Sequence, residues 1–255
     1  MTVSALVVTN RPEHLPWWMR QVKKQTRQPD EVIIVDNRSD LTVPWIAGGC
    51  QGLLGGGWFA RHVDPSTTLG EMRQLALGLA TSDVILWFDD DDWYHPQRIE
   101  MSVAPIESGR YDASVFPLTH YYYVKERLAH DYPGGAGPHL PASAWRREVV
   151  SRVRFKPLKT GEDYHWIHAQ VHPLDGSAPQ VPPHKVRWIP DYGLPNIGGI
   201  VMIHAKNSWQ TPLEKVTDPT GALTPLPSYA PKGVPQEMWD EDLILLEKMR
   251  VAHYS

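Results

Sequence analysis

Four consecutive aspartates, Asp89–Asp92, directly follow the apolar run Val84–Phe88. Four unpaired carboxylates would be very costly to bury, so this segment must meet solvent, a cation or hydrogen-bond donors. Carboxylate oxygens suit Mg²⁺ or Mn²⁺, ions that commonly hold the phosphates of a substrate. In an extended segment Asp89 and Asp91 would point the same way, which favours them as a converging pair. Taken alone, the segment is equally compatible with a solvated acidic turn.

Two further features supply candidates for a proton acceptor and a third ligand. Glu162 and Asp163 lie at the start of residues 161–171, which we predict to be helical. A carboxylate there can act as a general base toward a hydroxyl group, although carboxylates at a helix N-terminus often only complement the helix dipole. His204 follows a predicted strand and would complete a mixed nitrogen and oxygen metal site, although a single histidine is more often structural.

The elements that must position these residues follow a βαβ order. Continuous apolar runs are typical of buried parallel strands. They occupy residues 3–8, 32–35 and 84–88. A helical apolar stripe between the first two runs consists of Leu15, Trp18, Met19 and Val22. A second helix precedes the third run, and Thr68 and Glu71 have the spacing of a capping box at its start. We therefore expect an α/β fold with a mostly parallel sheet, in which the aspartates follow the carboxyl end of a strand.

The remainder of the chain has weaker patterns. We predict helices after residue 96, over 142–150 and over 161–171, and strands near 113–116 and at 200–204. The glycine-rich stretch 48–57 lacks the spacing of a phosphate-binding loop and is interpreted as a flexible loop. Residues 119–139 look irregular, and residues 211–235 are proline-rich and expected to be extended. A closing amphipathic helix is indicated by Trp239, Leu243, Leu246 and Met249.

The composition is that of a globular protein. The 255 residues are 42% hydrophobic and 21% charged, which argues against disorder and suits one compact domain. The net charge of −4 gives no support to a basic nucleic-acid-binding protein, although residues 146–159 hold six basic residues and one acidic residue.

The first residues do not resemble a signal peptide, and no apolar stretch reaches the roughly 18 residues of a membrane span. With a single cysteine, Cys50, which suits a reducing compartment, we expect a cytoplasmic protein without a transmembrane segment.

Five segments, in order, resemble the family 2 glycosyltransferases of the GT-A fold. They are VSALVVTNRP, EVIIVDNRSD, GEMRQLALGLATSDVILWFDDDDWYHP, ASAWRREVVSRVRFKPLKTGEDYHWI and VMIHAKNSW. The resemblance extends over residues 3–209 and implies a single Rossmann-like α/β domain, with a mostly parallel central sheet flanked by helices. Within a domain 1–209 it implies a nucleotide-sugar-binding half, 1–118, and an acceptor-side half, 119–209. Residues 210–255 would form a proline-rich extension that ends in a helix.

The resemblance also implies roles for particular residues. The nucleotide would be bound by Thr9, Asn10, Arg11, Asp36, Arg73, Asp89 and Asp90. A Mn²⁺ or Mg²⁺ ion would be bound by Asp91 and His204, and Asp90 and Asp92 stay candidates because four consecutive aspartates leave the register ambiguous. Asp163 would be the catalytic base, with Glu162 as the alternative. We expect the acceptor to lie near Trp166, Arg146 and Arg147.

The function that the resemblance implies is transfer of a sugar from a UDP- or GDP-sugar to an acceptor hydroxyl, with inversion at the anomeric carbon. Asn37 stands where the family has a second acidic residue, so the identity of the base stays open. The acceptor would be a saccharide or a lipid-linked saccharide, and the basic segment 146–159 also admits hydroxylated bases in DNA. Two alternatives are a sugar-phosphate nucleotidyltransferase, whose glycine-rich basic loop is replaced here by TNRPEH, and a binding protein without turnover.

Overall fold

A computed structural model of the protein describes most of the first 171 residues and several short segments after them. The described ranges are 1–38, 57–116, 120–123, 128–131, 139–151, 153–171, 186–188, 201–203, 223–225, 237, 239–242 and 244–245. The strands are β1 (Val3–Thr9), β2 (Glu31–Asp36), β3 (Gly57–His62), β4 (Val84–Trp87), β5 (Ala113–Val115), β6 (His120–Tyr123), β7 (Leu128–Asp131), β8 (Ser143–Arg146), β9 (Val186–Trp188), β10 (Val201–Ile203) and β11 (Leu223–Pro225). The helices are α1 (Leu15–Lys23), α2 (Leu69–Leu79), α3 (Arg98–Glu107), α4 (Arg147–Val150) and α5 (Glu162–Val171).

The large sheet brings the carboxyl ends of its parallel strands to one edge. In the described part of the chain its strand order is β3-β2-β1-β4-β8-β5-β9, and β1 pairs in parallel with both β2 and β4. The register sets Thr9 beside Asp36 at the ends of β1 and β2, and Leu6 beside Trp87 at the end of β4. The predicted parallel arrangement is confirmed, and the chain that follows β4 emerges at the same edge as Thr9. A smaller sheet has the order β10-β6-β7-β11.

Helices cover both faces of the large sheet because its central strands are apolar on both sides. Val3, Ala5 and Val7 of β1 belong to the core cluster that includes residues of α1 and α3. Leu6 and Val8 belong to the cluster on the other face, which includes residues of α2 and α5. Every residue of β1 is buried, which explains why its sequence is mostly apolar and does not alternate between apolar and polar residues.

Two helices begin and pack as their sequence signals predict. The hydroxyl of Thr68 accepts a hydrogen bond from the amide of Glu71 at 3.3 Å, and the Glu71 carboxylate accepts one from the amide of Thr68 at 2.9 Å. This reciprocal pair is the predicted capping box at the start of α2. The apolar stripe of α1 faces the core, where Leu15, Trp18 and Val22 are fully buried.

The predicted helix over residues 142–150 is wrong for most of its length. Ser143–Arg146 form β8, which lies antiparallel between β4 and β5, and only Arg147–Val150 are helical. Ala144 and Trp145 pack into the cores on opposite faces of the sheet. The strand therefore gains burial on both sides, and this tertiary packing overrides the local helical pattern.

Stretches interpreted as loops contain further strands. Gly57, at the end of the predicted glycine-rich loop, begins the edge strand β3, whereas residues 48–56, with Cys50, lie outside the described residues. The stretch predicted to be irregular, 119–139, includes the antiparallel strands β6 and β7, and the proline-rich stretch includes β11. The strand predicted at residues 200–204 is described as β10.

The carboxyl-terminal segment is described in part. Residues 239–242 and 244–245 are helical, in agreement with a closing helix, whereas Leu243, Leu246 and Met249 lie outside the described residues. The boundaries at residues 118 and 209 stay predictions. Within the described ranges, each helix is too short or too polar to cross a lipid bilayer.

Candidate active site

Two members of the acidic segment, Asp89–Asp92, lie against the end of β1. The hydroxyl of Thr9 donates to Oδ2 of Asp90 at 2.5 Å, and the amide of Arg11 donates to the same hydroxyl oxygen at 2.8 Å. The Arg11 guanidinium forms ion pairs with Asp90 and, at 2.8 Å, with Asp91. Burial raises the pKa of Asp90 to about 7, against the opposing charge of Arg11. The turn after β1 thus neutralises part of the acidic segment.

Asp89 has a different cationic partner, on α2. Nη2 of Arg73 lies 3.3 Å from Oδ1 of Asp89, and the Asp89 amide donates to the hydroxyl of Tyr94 at 2.6 Å. Desolvation raises the pKa of Asp89, while Arg73 opposes this rise and Asp91 adds to it. The expected pair Asp89 and Asp91 therefore interacts electrostatically, but each carboxylate faces its own arginine.

Arg73 joins the acidic segment to the start of α5. Its Nε lies 3.0 Å from Oε1 of Glu162, and its guanidinium carbon lies 5.3 Å from the ring centre of Trp87. Burial works against the charge of Arg73, but the surrounding carboxylates, Asp89 foremost, raise its pKa. Burial raises the pKa of Glu162, and Arg73 opposes that rise. One buried cation therefore holds carboxylates of both regions that the sequence singled out.

Asp163 is the more accessible carboxylate in the first turn of α5. The helix begins directly after Gly161, whose φ of 76° lies in the left-handed region that favours glycine. Glu162 is 2% exposed, whereas Asp163 is only partly buried. Burial lowers the pKa of His139, and the charge of Asp163 opposes that shift. Of the two carboxylates, Asp163 is therefore the one that keeps surface open to solvent.

A polar stripe that runs along α1 and ends at Gln25, missed by the sequence analysis, holds the backbone at the end of the acidic segment and directly after it. Trp17, Gln21 and Gln25 form hydrogen bonds of 3.2, 3.4 and 3.0 Å with backbone groups of residues 92, 94 and 95, respectively. All three side chains are buried. Their i, i+4 spacing puts Trp17 and Gln21 on one side of α1, beside the apolar stripe that the prediction used, and Gln25 continues this spacing just beyond the end of the helix. That repeat was the signal by which they could have been found.

The predicted base-binding residue, Asp36, is buried at the end of β2. Its Oδ2 lies 3.0 Å from Nδ1 of His62, and its Oδ1 accepts a hydrogen bond from the Arg38 amide at 2.8 Å. Asn37 donates from its side chain to a backbone carbonyl before α2 at 3.0 Å, and Asn10 is exposed just beyond β1. His62 was not identified from the sequence because it lies at the end of β3, a strand that was not predicted.

Trp166, expected near the acceptor, is a core residue. It is 1% exposed, its ring stacks on Phe155 with 4.8 Å between the ring centres, and its Nε1 donates to the Val153 carbonyl at 3.1 Å. The ring of Trp145 makes an edge-on contact with it, with 5.4 Å between the centres. The indole is therefore enclosed by the protein, which corrects the expectation that Trp166 contacts an acceptor.

Arg146 and Arg147, also expected near the acceptor, lie at the opposite edge of the sheet from the acidic segment. Because β8 runs antiparallel to β4, Arg146 pairs with Val84, the first residue of β4. Nε of Arg147 donates to the Ser82 carbonyl, which precedes β4, at 2.9 Å. The two arginines are therefore separated from the acidic segment, and their expected contact with an acceptor or with DNA stays a prediction that this placement does not favour.

The acidic segment fits Mn²⁺ or Mg²⁺ in the type of its donors, since both ions accept carboxylate oxygens. The side chains of Asp89 and Asp91 are 30% and 10% exposed, compared with 2% for Asp90. Among the described residues, no group of three or more His, Cys, Asp or Glu side chains is arranged to hold an ion. Such ions often bind through one or two carboxylates together with substrate phosphates, which suits an ion that arrives with a nucleotide. His204 lies outside the described residues.

Comparison with known proteins identifies a family over the part of the chain that holds this site. Residues 5–165 match the family model of glycosyl transferase family 2. This range contains the turn after β1, the acidic segment, Arg73 and the Glu162–Asp163 pair. No curated protein sequence matches the chain.

Solved structures share the fold at low sequence identity. TarS from S. aureus is 17% identical over 80% of this chain, with a TM-score of 0.57, and the match spans only 37% of TarS. Residues 1–349 of TarS in complex with UDP-GlcNAc are 14% identical, with a TM-score of 0.60 over 100% of this chain and 74% of that one. Glucosyl-3-phosphoglycerate synthase from Mycobacterium tuberculosis, in complex with Mn2+, UDP and phosphoglyceric acid, is 15% identical, with a TM-score of 0.50 over 74% of this chain and 68% of that one. At these identities the likeness shows the GT-A fold alone.

Proposed function

The chain belongs to glycosyl transferase family 2, and from that premise we propose that it transfers a sugar from a UDP-sugar to an acceptor hydroxyl. The observation that carries this proposal is the contact of Arg73 with both Asp89 and Glu162. It joins the segment expected to meet the donor diphosphate to the carboxylate pair expected to meet the acceptor. A transfer reaction needs these two groups in one site, because orientation of the reactants supplies much of the rate enhancement.

The donor half of the proposal involves the turn after β1 and the end of β2. Thr9, Asn10 and Arg11 would contact the nucleotide, and Asp36 would accept a hydrogen bond from the base. Uracil and guanine both carry a ring N–H that can donate to this carboxylate, so the pocket chemistry admits either base. The complexes of the two similar proteins with UDP or UDP-GlcNAc favour uracil.

Asp91 is the residue that we propose to hold Mn²⁺ or Mg²⁺, with His204 as a further ligand, and Asp89 would face the nucleotide. The carboxylate donors and the side-chain exposure of Asp91 and Asp89 support this choice. A bound divalent ion would act as a Lewis acid and stabilise the negative charge that develops on the leaving diphosphate. Asp90 is buried against Thr9 and Arg11, which supports a role in orienting that turn rather than in direct ligation.

Asp163 is the proposed general base. It accepts the proton of the acceptor hydroxyl while that oxygen forms a bond to the anomeric carbon. The bond between this carbon and the diphosphate oxygen breaks on the opposite face, and the nucleoside diphosphate leaves with the bonding electrons. A single in-line displacement inverts the anomeric configuration. The burial of Glu162 and its pairing with Arg73 favour Asp163 as the base and Glu162 as the residue that orients Arg73.

A saccharide or lipid-linked saccharide is the acceptor class that we propose. The acceptor must approach the exposed side of Asp163, at the start of α5. DNA with hydroxylated bases loses two of its proposed contacts, because Arg146 and Arg147 lie at the other edge of the sheet. The basic residues later in segment 146–159 do not by themselves select a nucleic acid.

A nucleotide panel tests the proposal. The melting temperature is measured with UDP, GDP or TDP, each with and without Mn²⁺, because a ligand that binds the native state raises apparent stability by about 2.7 kcal/mol at 100 times its dissociation constant. UDP with Mn²⁺ should give the largest increase, and UDP-sugars should then be screened for release of UDP. Asp91→Asn should abolish both the increase in melting temperature that Mn²⁺ adds and the release of UDP from UDP-sugars. Glu148→Gln, which changes an exposed acid on α4, should affect neither.

Two results would contradict the proposal. One is UDP release by Asp91→Asn at the wild-type rate, because the metal site would then lie elsewhere. The other is pyrophosphate release from a nucleoside triphosphate and a sugar phosphate without transfer from any nucleotide sugar. That second result would identify the chain as a nucleotidyltransferase.

A further inference from the structure

The helical segment near the carboxyl end packs against the loop of residues 88–95, which contains the acidic segment. This segment, residues 239–242 and 244–245, lies beyond the 5–165 range that matches the family. Trp239 and Asp242 are 2% and 1% exposed, respectively, so both side chains are inserted into the body of the protein. A buried carboxylate is costly unless charged or polar groups satisfy it.

Asp242 is satisfied by groups from two parts of the chain. Its Oδ2 accepts a hydrogen bond from Nε1 of Trp93 at 2.8 Å. Its Oδ1 lies 3.1 Å from Nε of Arg20 and 2.6 Å from Nζ of Lys24, which are one helical turn apart at α1. Trp239 adds an edge-on ring contact with Trp93, with 5.6 Å between the centres. One side chain therefore connects α1 with Trp93.

Trp93 immediately follows the acidic segment and is fully buried. The preceding carbonyl, of Asp92, accepts a hydrogen bond from Trp17 of α1, and the amide of Asp89 donates to the hydroxyl of Tyr94. Since the segment is only four residues long, the position of Trp93 constrains where the carboxylates of Asp89 and Asp91 can lie.

We propose that Asp242 is a positioning residue, which acts through Trp93 to hold the acidic segment in the conformation that binds the donor. The consequence for donor binding rests on the proposed function, whereas the effect on the loop does not. The segment beyond the family match is then part of the donor site without touching the donor. It contributes by holding Trp93 and α1 together, through one buried hydrogen bond and two ion pairs.

Hydrogen exchange tests the effect on the loop. Asp242→Ala removes all three contacts of the carboxylate, and Trp93→Phe removes only the indole donor. In both variants the backbone amides of residues 88–95 should exchange at least about tenfold faster, because local opening no longer breaks the buried hydrogen bond. Amides of β1 and β2 should keep their wild-type rates.

Glu241→Gln is the matched control. Glu241 also pairs with Arg20, but its side chain is 64% exposed, so its loss should leave the exchange of residues 88–95 unchanged. If Asp242→Ala does not fold, Trp93→Phe and the control decide the question. Unchanged exchange at residues 88–95 in Trp93→Phe, or equal exchange in Glu241→Gln and Asp242→Ala, would overturn the proposal.

Binding of UDP with Mn²⁺ tests the effect on the site. In Trp93→Phe the dissociation constant should rise about fivefold or more, with Asp242→Asn, which keeps an acceptor for Trp93, between this variant and the wild type. Faster exchange with an unchanged dissociation constant would overturn the positioning role. If the wild type itself fails to bind UDP with Mn²⁺, the proposed donor is wrong, and the exchange measurement still decides whether Asp242 holds the loop.

Discussion

The acidic segment Asp89–Asp92 and the Glu162–Asp163 pair bring carboxylates to the same site, but the chain holds the two regions by different means. The acidic segment is contacted from several directions: Thr9 ends β1 and Arg11 follows it, the polar stripe begins on α1, and Asp242 holds Trp93. Residues from several elements therefore restrain the acidic segment.

One face of α2 contacts the Glu162–Asp163 pair and the segment that leads to it. Gly70, Arg73 and Gln74 have the i, i+3, i+4 spacing of a single helix face. The amide of Gly70 donates to the carbonyl of Leu158 at 3.0 Å, and the side chain of Gln74 accepts from the amide of Phe155 at 3.0 Å. Arg73 then contacts Glu162 itself.

Each half of the site is therefore vulnerable in its own way. On the proposed acceptor side, one face of α2 contacts the segment that leads into α5, so a change at that contact should displace Asp163 more than the acidic segment. On the donor side, the charges are restrained by several elements, so loss of a carboxylate removes chemistry more than it removes structure. Changes in the two regions should separate binding of the donor from transfer of the sugar.

The clearest separation is expected from Asp163→Asn. Loss of the proposed general base should lower the rate of sugar transfer by about 10²–10⁴-fold. The dissociation constant for UDP with Mn²⁺ should stay close to the wild-type value, because Asp163 is proposed to face the acceptor. Steady-state release of UDP and a direct nucleotide titration measure the two effects on the same preparation.

Glu148→Gln serves as the control for Asp163→Asn, since it also removes a carboxylate, an exposed one, but lies at the other edge of the sheet. It should retain wild-type transfer. A wild-type transfer rate in Asp163→Asn would show that another group takes the proton. A large loss of nucleotide affinity would show that the two regions are not separable.

A smaller effect, on structure as well as rate, is expected from Gly70→Ala. A Cβ at Gly70 would lie 1.9 Å from the backbone carbonyl oxygen of Lys156, so α2 and the segment 156–158 must move apart. Overpacking of this kind costs about 1–3 kcal/mol of unfolding free energy. Transfer should fall more than affinity for UDP with Mn²⁺, because the contact that opens lies beside the segment that leads into α5, on the proposed acceptor side. Chemical denaturation and the paired activity assay measure the two effects.

Gly78→Ala on the same helix is the matched control. A Cβ at Gly78 has no neighbouring atom within 4 Å, so alanine should stabilise the helix by about 0.5–1 kcal/mol and leave transfer unchanged. Equal stability of the two alanine variants would contradict the close approach at Gly70. Equal losses of nucleotide affinity and transfer in Gly70→Ala would break the contrast between the two regions.

The elements that the sequence predicted well are those whose signals are local. The apolar runs of β1, β2 and β4 are buried on both faces, and the Thr68–Glu71 spacing is enough to identify the start of α2. The acidic segment was predictable in position because it directly follows the apolar run that contains β4. Charge and hydrophobic pattern along a short stretch were sufficient in each case.

The parts that could not be predicted depend on contacts between distant residues. β8 becomes a strand because β4 and β5 lie on its two sides. This pairing places Arg146 beside the first residue of β4, at the opposite edge of the sheet from the acidic segment. Trp93 and Asp242 are 149 positions apart, and no local pattern relates them. Trp166 has the residue type of a sugar platform, but the Phe155 ring that covers it comes from another segment.

The smallest effect should come from Arg146→Gln and Arg147→Gln, which test the edge of the sheet assigned to the acceptor. Each side chain donates to a backbone carbonyl, so each change should cost about 1 kcal/mol of unfolding free energy. Transfer and the KM for the acceptor should stay within about twofold of wild type, because both arginines lie at the opposite edge of the sheet from the acidic segment. A tenfold change in KM would correspond to a difference of about 1.4 kcal/mol in binding free energy. Chemical denaturation and acceptor titrations in the transfer assay measure the two quantities.

Arg27→Gln is the control for this pair of variants. Arg27 also donates to a backbone carbonyl, that of Met1, and it forms an ion pair with Glu107 far from either carboxylate region. Its loss should therefore lower stability by a similar amount and leave the acceptor KM unchanged. A tenfold increase in that KM for Arg146→Gln or Arg147→Gln, with Arg27→Gln unchanged, would move the acceptor to the amino ends of the strands. The proposed acceptor role of Asp163 would then be wrong, because the reacting hydroxyl of one acceptor cannot lie at both edges of the sheet.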